Sequence, residues 1–349
     1  MGGAWQTSDR CRSRAGFFLS LLGCLLVLGL VGCGSSGTPA TPEKKLKIGL
    51  LITPKGLNDK GFNDLAYTGL KSAERKYGIQ PVVIEPSTMN DQEACLRFFA
   101  AQKLDAVIAV GMAFLGGIRQ VASENPQLRF LVIDSDISEG QIQGVAFREY
   151  EASLLCGYLA AARSRTGKIG FIGGVDIPVI RRFLVGFEQG AQLSASGAQV
   201  MTQFVGEDFS GFNKPDRAKD IAHEMYQGGC DVVFPAAGAS GLGVISAAVQ
   251  NKKFVIGVDM NQDSLAPGLV LTSLLKRVDT VVEDIVKTLV DGKGNEAVKK
   301  TYGLADGGVD LTDFQFSRQE LGPEIISRVN ELRQEVINRK VGSFPAHLH

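Results

Sequence analysis

Polar and aromatic side chains able to hold a small organic molecule recur in this sequence just after short apolar runs. The stretch TPKGLNDKGFND, residues 53–64, sets Asp59 and Asn63 around a lone aromatic, Phe62. In such a loop the ring can meet a ligand or close over the core of its own lobe. Asp134 ends the run RFLVID at 129–134, and Asp259 ends FVIGVD at 254–259. A carboxylate at a strand end can accept two hydroxyl hydrogens, which suits a vicinal diol; it can equally cap the segment that follows. Residues 236–243, AAGASGLG, bring Gly238, Gly241 and Gly243 together. Glycines there let backbone N–H groups approach a ligand, or simply let the chain turn. Their spacing, G-x-x-G-x-G, inverts the dinucleotide fingerprint. Lys276, in TSLLKRVD, can donate to a sugar oxygen or stand in solvent as most lysines do.

Bond-making chemistry has no comparable set. Of His223, His347 and His349, the first lies on a helical pattern and the others in the tail, which offers neither a general base nor a metal trio. Ser240 is not a nucleophile elbow, because Leu242 stands where G-x-S-x-G needs its second glycine. The loop carboxylates show no pair at a separation a glycosidase would fix. A binding protein is expected, not an enzyme, with no cofactor and no metal. The 37 basic and 37 acidic residues give zero formal net charge, so no global field favours nucleic acid.

The elements that must position these residues are legible from the apolar patterning. Strands are expected at 46–52, 81–86, 106–111, 129–134, 143–147, 168–174, 199–206, 231–238, 254–259 and 269–275, as continuous apolar runs buried on both faces. Amphipathic helices are expected between them at 61–77, 91–102, 115–125, 150–164, 179–195 and 216–228, with a further helical pattern at 273–290. Regular alternation implies an α/β protein with parallel sheets flanked by helices. The order of strand, loop and helix over 46–147 is echoed from Lys168 onward, so two lobes are expected, the late segments returning across a hinge. In such sheets ligands bind beyond the carboxyl ends of the strands, which is where Asp59, Asp134, Gly238 and Asp259 fall.

The first residues differ in kind. Arg10, Arg12 and Arg14 precede an apolar run from 17 to 31 that ends in small residues, the pattern of a signal peptide over 1–32. LVGC, ending at Cys33, resembles the lipobox of bacterial lipoproteins, which implies acylation of Cys33 and a lipidated tether over 33–45. The protein is then expected outside the cytoplasm, anchored to a cell membrane through that lipid. Of the remaining cysteines, Cys95, Cys156 and Cys230 show no metal-ligand spacing and read as buried free thiols, with one disulfide left open.

Five ordered blocks carry a family resemblance: NDKGFND at 58–64, GKIGFIGGVDIPVI at 167–180, DVVFPAAGASGLGVI at 231–245, FVIGVDMNQ at 254–262 and LTSLLKRVD at 271–279. The chain resembles the basic membrane protein family of substrate-binding lipoproteins, relatives of the purine nucleoside receptor that feed ABC-type importers. The resemblance implies the type I periplasmic binding protein fold with three hinge crossings. It implies an N-terminal lobe of 46–148 and 273–299 and a C-terminal lobe of 149–272 and 300–349. Matching positions imply that Phe62 stacks on a base whose edge Asp59 and Asn63 read. They also imply that Asp259 and Lys276 meet the ribose, and that the Gly238 loop lines the site. A second stacking aromatic is expected from the other lobe, Phe212 or its rival Phe209. The sequence departs from the family pattern at Asn58, Gly61 and Asn261. A monomer delivering a nucleoside, purine first, to an ABC permease is the expected function. The alternatives are a sugar or autoinducer receptor of the same fold and, from another class, a nucleoside hydrolase. Sugars are often stacked on tryptophan, and the single one here, Trp5, lies in the expected leader.

Overall fold

The computed structural model describes residues 11–12, 45–54, 56–195 and 197–341. Most of the expected signal peptide, the lipobox with Cys33, and the final residues lie outside them. In chain order the elements are β1 (Cys11–Arg12), β2 (Lys47–Leu51), α1 (Phe62–Tyr77), β3 (Gln80–Pro86), α2 (Gln92–Ala101), β4 (Ala106–Val110), α3 (Leu115–Glu124), β5 (Arg129–Ile133), β6 (Ser138–Glu139) and β7 (Ile142–Phe147). There follow α4 (Glu149–Arg163), β8 (Lys168–Gly173), α5 (Pro178–Leu193), β9 (Gln199–Phe204), α6 (Pro215–Gln227), β10 (Val232–Ala236), α7 (Gly241–Asn251), β11 (Phe254–Asp259) and β12 (Val270–Lys276). The chain closes with α8 (Val278–Val290), β13 (Thr301–Tyr302), β14 (Val309–Leu311) and α9 (Arg318–Ile337).

Two sheets form, and their cores repeat one another. The first runs β3-β2-β4-β5-β7 and the second β9-β8-β10-β11-β12, so each strand of one has a counterpart in the other. Pairing within both series is parallel. β1 and β6 add antiparallel edges to the first sheet, and β14 adds one to the second. The central strands β4 and β10 are buried at every position, as expected of continuous apolar runs covered by helices on both faces.

The helix after each fifth strand crosses to the opposite lobe. α4 follows β7 of the first sheet but packs on α5 of the second lobe; α8 follows β12 of the second sheet but packs on α1 of the first. Glycines permit the close approach: side chains at Gly157 or Gly190 would run into the backbone of the facing helix, as would one at Gly69 against Asp279 of α8. This exchange ties the lobes together. The chain crosses after Phe147, after Lys276 and after Tyr302. The last two points lie beyond the expected 273 and 299. Residues 273–276, where the helical pattern was expected to begin, instead extend β12, because β11 and β14 hydrogen-bond to them from either side. β13 then pairs with β7 before the chain leaves the first lobe. Cys95, Cys156 and Cys230 are buried and take part in no disulfide among the described residues.

Candidate functional site

Between the strand ends of the two sheets lies a cavity of about 540 Å³, within the range of small-molecule sites. Asp59, Phe62, Gly111, Met112 and Asp134 line it from the first lobe, and Ile177, Ile180, Phe183, Phe212, Gly238 and Asp259 from the second, with Lys276 at a crossing. The lining is mostly apolar, with a few carboxylates and one ammonium set into it.

The two expected aromatics stand on opposite lobes. Phe62 opens α1, its ring edge beside Gly111. Phe212 belongs to a 3-10 turn over Phe209–Asn213, and its ring lies so close to Gly174 that any side chain there would strike it. Gly238, at φ 54°, places its backbone against the same ring. Its glycine therefore serves both the turn and the seat of Phe212. Phe209 also lines the cavity and stacks on Phe212 with ring centroids 6.3 Å apart, so the two rivals form one aromatic wall.

Asn63 is placed differently from the expectation. It does not line the cavity, and its amide is spent inside the loop: Oδ1 accepts from Thr53 N at 3.1 Å, while Nδ2 donates to Thr53 Oγ1 at 2.8 Å and to Gly56 O at 3.0 Å. Asp59 does line the cavity, yet its carboxylate also accepts from the N–H groups of Gly61, Asn63 and Asp64 at the start of α1. Burial raises its pKa in spite of those three donors.

Asp134 and Asp259 occupy equivalent points, just after β5 and at the end of β11, and both adopt left-handed backbone at φ 63° and 68°. Aspartate tolerates that conformation better than most residues. Their surroundings differ. Lys276, 2% exposed, pairs with Asp134 at 2.7 Å and with Glu149 at 3.0 Å. Arg182 completes the cluster, its Nε 2.6 Å from Glu149. Lys276 is thus a buried cation paired with two carboxylates, and since it also lines the cavity its third N–H remains for a ligand. Its Nζ also sits 5.2 Å from the centre of the Phe62 ring and 4.9 Å from that of Phe147.

Burial alone would raise Glu149, but the charges of Lys276 and Arg182 overcome it and hold the carboxyl below its ordinary range. Burial would lower Lys276; Asp134 and Glu149 reverse that and keep it protonated. Asp134 moves up, because burial outweighs the attraction of Lys276 and the Glu149 charge adds to it. Asp259 is 8% exposed, and no described group hydrogen-bonds to its carboxylate. Burial pushes it up to about 7 against the pull of Lys276, with Asp59, Asp134 and Glu149 adding repulsion. Of these carboxylates, Asp259 is the one with neither an ion-pair partner nor a hydrogen-bond donor among the described residues. Glu149 and Arg182 were absent from the sequence expectations. Glu149 lies two residues after β7, so the strand-end rule that found Asp134 could have found it.

An aromatic-walled cleft between two duplicated parallel-sheet lobes is the arrangement of a solute-binding protein. The chain matches, over residues 45–343, the Bmp family, described as ABC transporter substrate-binding protein PnrA-like. It belongs to that family. It is 31% identical over 348 residues to the ABC transporter nucleoside-binding protein BmpA of Lactococcus lactis subsp. cremoris (strain MG1363), covering 93% of this chain and 97% of that one. Basic membrane protein D of Borreliella burgdorferi (strain JD1) is 30% identical over 321 residues, with 90% and 92% covered. The solved structure of an ABC transporter solute-binding protein from Aeropyrum pernix K1 superposes with a TM-score of 0.74 at 25% identity, over 86% of this chain and 94% of that one. The glucose-galactose binding protein GanP of Geobacillus stearothermophilus shares the fold alone, at 18% identity and a TM-score of 0.58, over 77% and 98% of the chains. The protein is accordingly an ABC transporter substrate-binding protein of the type I periplasmic fold, and not an enzyme.

Proposed function

We propose that the cleft captures a nucleoside, purine in first place, and hands it to the permease of an importer. The observation that carries this reading is the pairing of opposed aromatic walls, Phe62 on one lobe and Phe212 with Phe209 on the other, beside the unpaired Asp259 carboxylate. A flat base fits between the rings, and a ribose diol can give both its hydrogens to Asp259. The name of the Lactococcus lactis relative, a nucleoside-binding protein, agrees with it. The ligand bridges both lobes, so it stabilises the closed arrangement through contacts that only closure assembles. Acylation at Cys33 would hold the receptor at the outer face of the membrane, near its permease.

A thermal-shift and calorimetric screen of purine and pyrimidine nucleosides, free bases and pentoses tests the ligand class. At 100 times its Kd a ligand adds about 2.7 kcal/mol to stability. Adenosine, guanosine or inosine should raise the melting temperature by several degrees. No stabilisation by any nucleoside defeats the reading. Labelled palmitate should enter the wild-type protein and not Cys33→Ala, and labelling of both or of neither would refute the anchor.

A further inference from the structure

Away from the ligand cavity and the chain crossings, one hydrogen bond among the described residues joins the lobes: Nε2 of Gln262, in the second lobe, donates to the backbone carbonyl of Lys60, in the first, at 2.9 Å. Neither residue lines the cavity. Both partners are fixed before they meet. On the first lobe, Asn58 and Lys60 hold left-handed backbone at φ 70° and 52°. The Asp64 carboxylate clamps that turn, accepting from Asn58 N at 2.7 Å and Lys60 N at 3.0 Å, while Asp59 ties its far end to α1. A loop so braced aims the Lys60 carbonyl across the cleft. On the second lobe, Gln262 is 3% exposed. Its Oε1 accepts from Val258 N at 3.0 Å, and its own N–H donates to Ser273 Oγ, which is held in turn by Asp263. The amide therefore has one orientation, with Oε1 turned to its own lobe and Nε2 to the other.

We propose that Gln262 is the closure latch: its side chain holds the lobes together through the Lys60 carbonyl and so sets how long a captured solute stays, without touching the solute. A half-buried neutral hydrogen bond between preset groups stabilises the closed form while costing little ordering entropy. The latch serves whichever solute the cleft holds, and it acts on release, since docking must precede its formation.

Gln262→Glu is the informative change. One carboxylate oxygen still accepts from Val258 N, but the other faces the Lys60 carbonyl with no hydrogen to give. With inosine as probe at pH 8, the variant should bind about 10-fold more weakly or worse, through faster dissociation at an unchanged association rate. At pH 5 the new carboxyl regains a proton and can donate again, so the ratio of wild-type to variant affinity should shrink. Asp59, Asp259 and Asp263 also titrate, raised by burial, and a carboxylate at position 262 couples to them, so the pH 5 arm is read beside Gln262→Met, which removes the donor without adding charge and whose ratio to wild type should not shrink. Equal dissociation rates at pH 8 overturn the latch. If wild type binds no nucleoside, the ligand reading fails by itself, and small-angle scattering of the unliganded proteins decides the latch. A larger radius of gyration in Gln262→Glu supports it, and equal radii overturn it. Should that variant not fold, Gln262→Asn, one methylene too short to span both partners, takes its place in the same measurements, without the pH arm.

Discussion

Replacing Asp259 with asparagine should stabilise the ligand-free protein while destroying its use. The carboxyl is buried and hydrogen-bonded to no described group, and its pKa is pushed from 3.8 up to about 7. A tenfold change in proton affinity corresponds to about 1.4 kcal/mol, so the ionised form costs the fold on the order of 4 kcal/mol at most. In the unfolded chain the group titrates near 3.8, and the native state keeps its proton until about 7. Between those values the native state binds more protons, so its stability falls as pH rises. The stability linked to the protonated acid is fully present below pH 3.8 and lost as pH climbs through about 7. Asparagine keeps the shape and removes the charge. In denaturant melts of unliganded protein, Asp259→Asn should therefore exceed wild type by about 2–4 kcal/mol at pH 8, with the gap closing toward pH 4. Nucleoside binding by the same variant should be lost, because an amide accepts at one oxygen where the carboxylate offers two. A variant no more stable than wild type at pH 8 would refute the claim that Asp259 is an uncompensated buried charge.

Further substitutions probe the walls and the charge cluster. Lys276→Met leaves Asp134 and Glu149 facing each other without their shared cation, and should cost about 3–5 kcal/mol in a denaturant melt at pH 7. Phe62→Ala and Phe212→Ala each remove one face of the clamp and should weaken nucleoside binding by about 1–3 kcal/mol in calorimetry; unchanged affinity in both would show that the rings close the lobes and hold no base. Gly174→Ala puts a methyl into the seat of the Phe212 ring. It should lower affinity by about 10-fold with little change in circular dichroism, whereas full affinity would mean that the ring can shift without consequence.

Much of this arrangement was legible because burial on both faces writes itself into sequence as unbroken apolar runs. AVIAV at β4 and VVFPA at β10 could hardly be anything but covered strands. The strand-end rule then located Asp134 and Asp259 without any knowledge of the third dimension. It erred with Asn63, whose polarity reads the same whether the amide faces a ligand or, as here, ties Thr53 to Gly56. Lys276 does line the cavity, but its segment gives no sign that Asp134, 142 residues away, will also hold it in a buried ion pair. Arg182 meets Glu149 across 33 residues, a pairing set by how α5 packs on α4. The short strands β13 and β14 were invisible because runs of two and three residues carry no period. α7 begins inside a glycine-rich loop and has no polar face to mark it, and α9 carries Gly322 and Pro323 within its span.

The duplication of the lobes makes their differences informative. β7 and β12 are counterparts, each followed by an arginine and a crossing helix, yet β7 ends in Phe147 and β12 in Lys276. The Lys276 ammonium lies over the Phe147 ring and reaches Asp134. Asp134 thereby has an ion-pair partner, although burial still raises its pKa, and its counterpart Asp259 has none. From two similar halves the protein has built a cleft with one ion-paired and one unpaired carboxylate. A symmetric cleft would accept a solute in either direction at equal free energy. Here a group rich in hydroxyl donors gains most by meeting Asp259, since Asp134 already shares its charge with Lys276. A single cation at one crossing thus biases the orientation of the solute, and Lys276, which lines the cavity itself, bears on specificity through its pairing with Asp134 as well as through its remaining N–H.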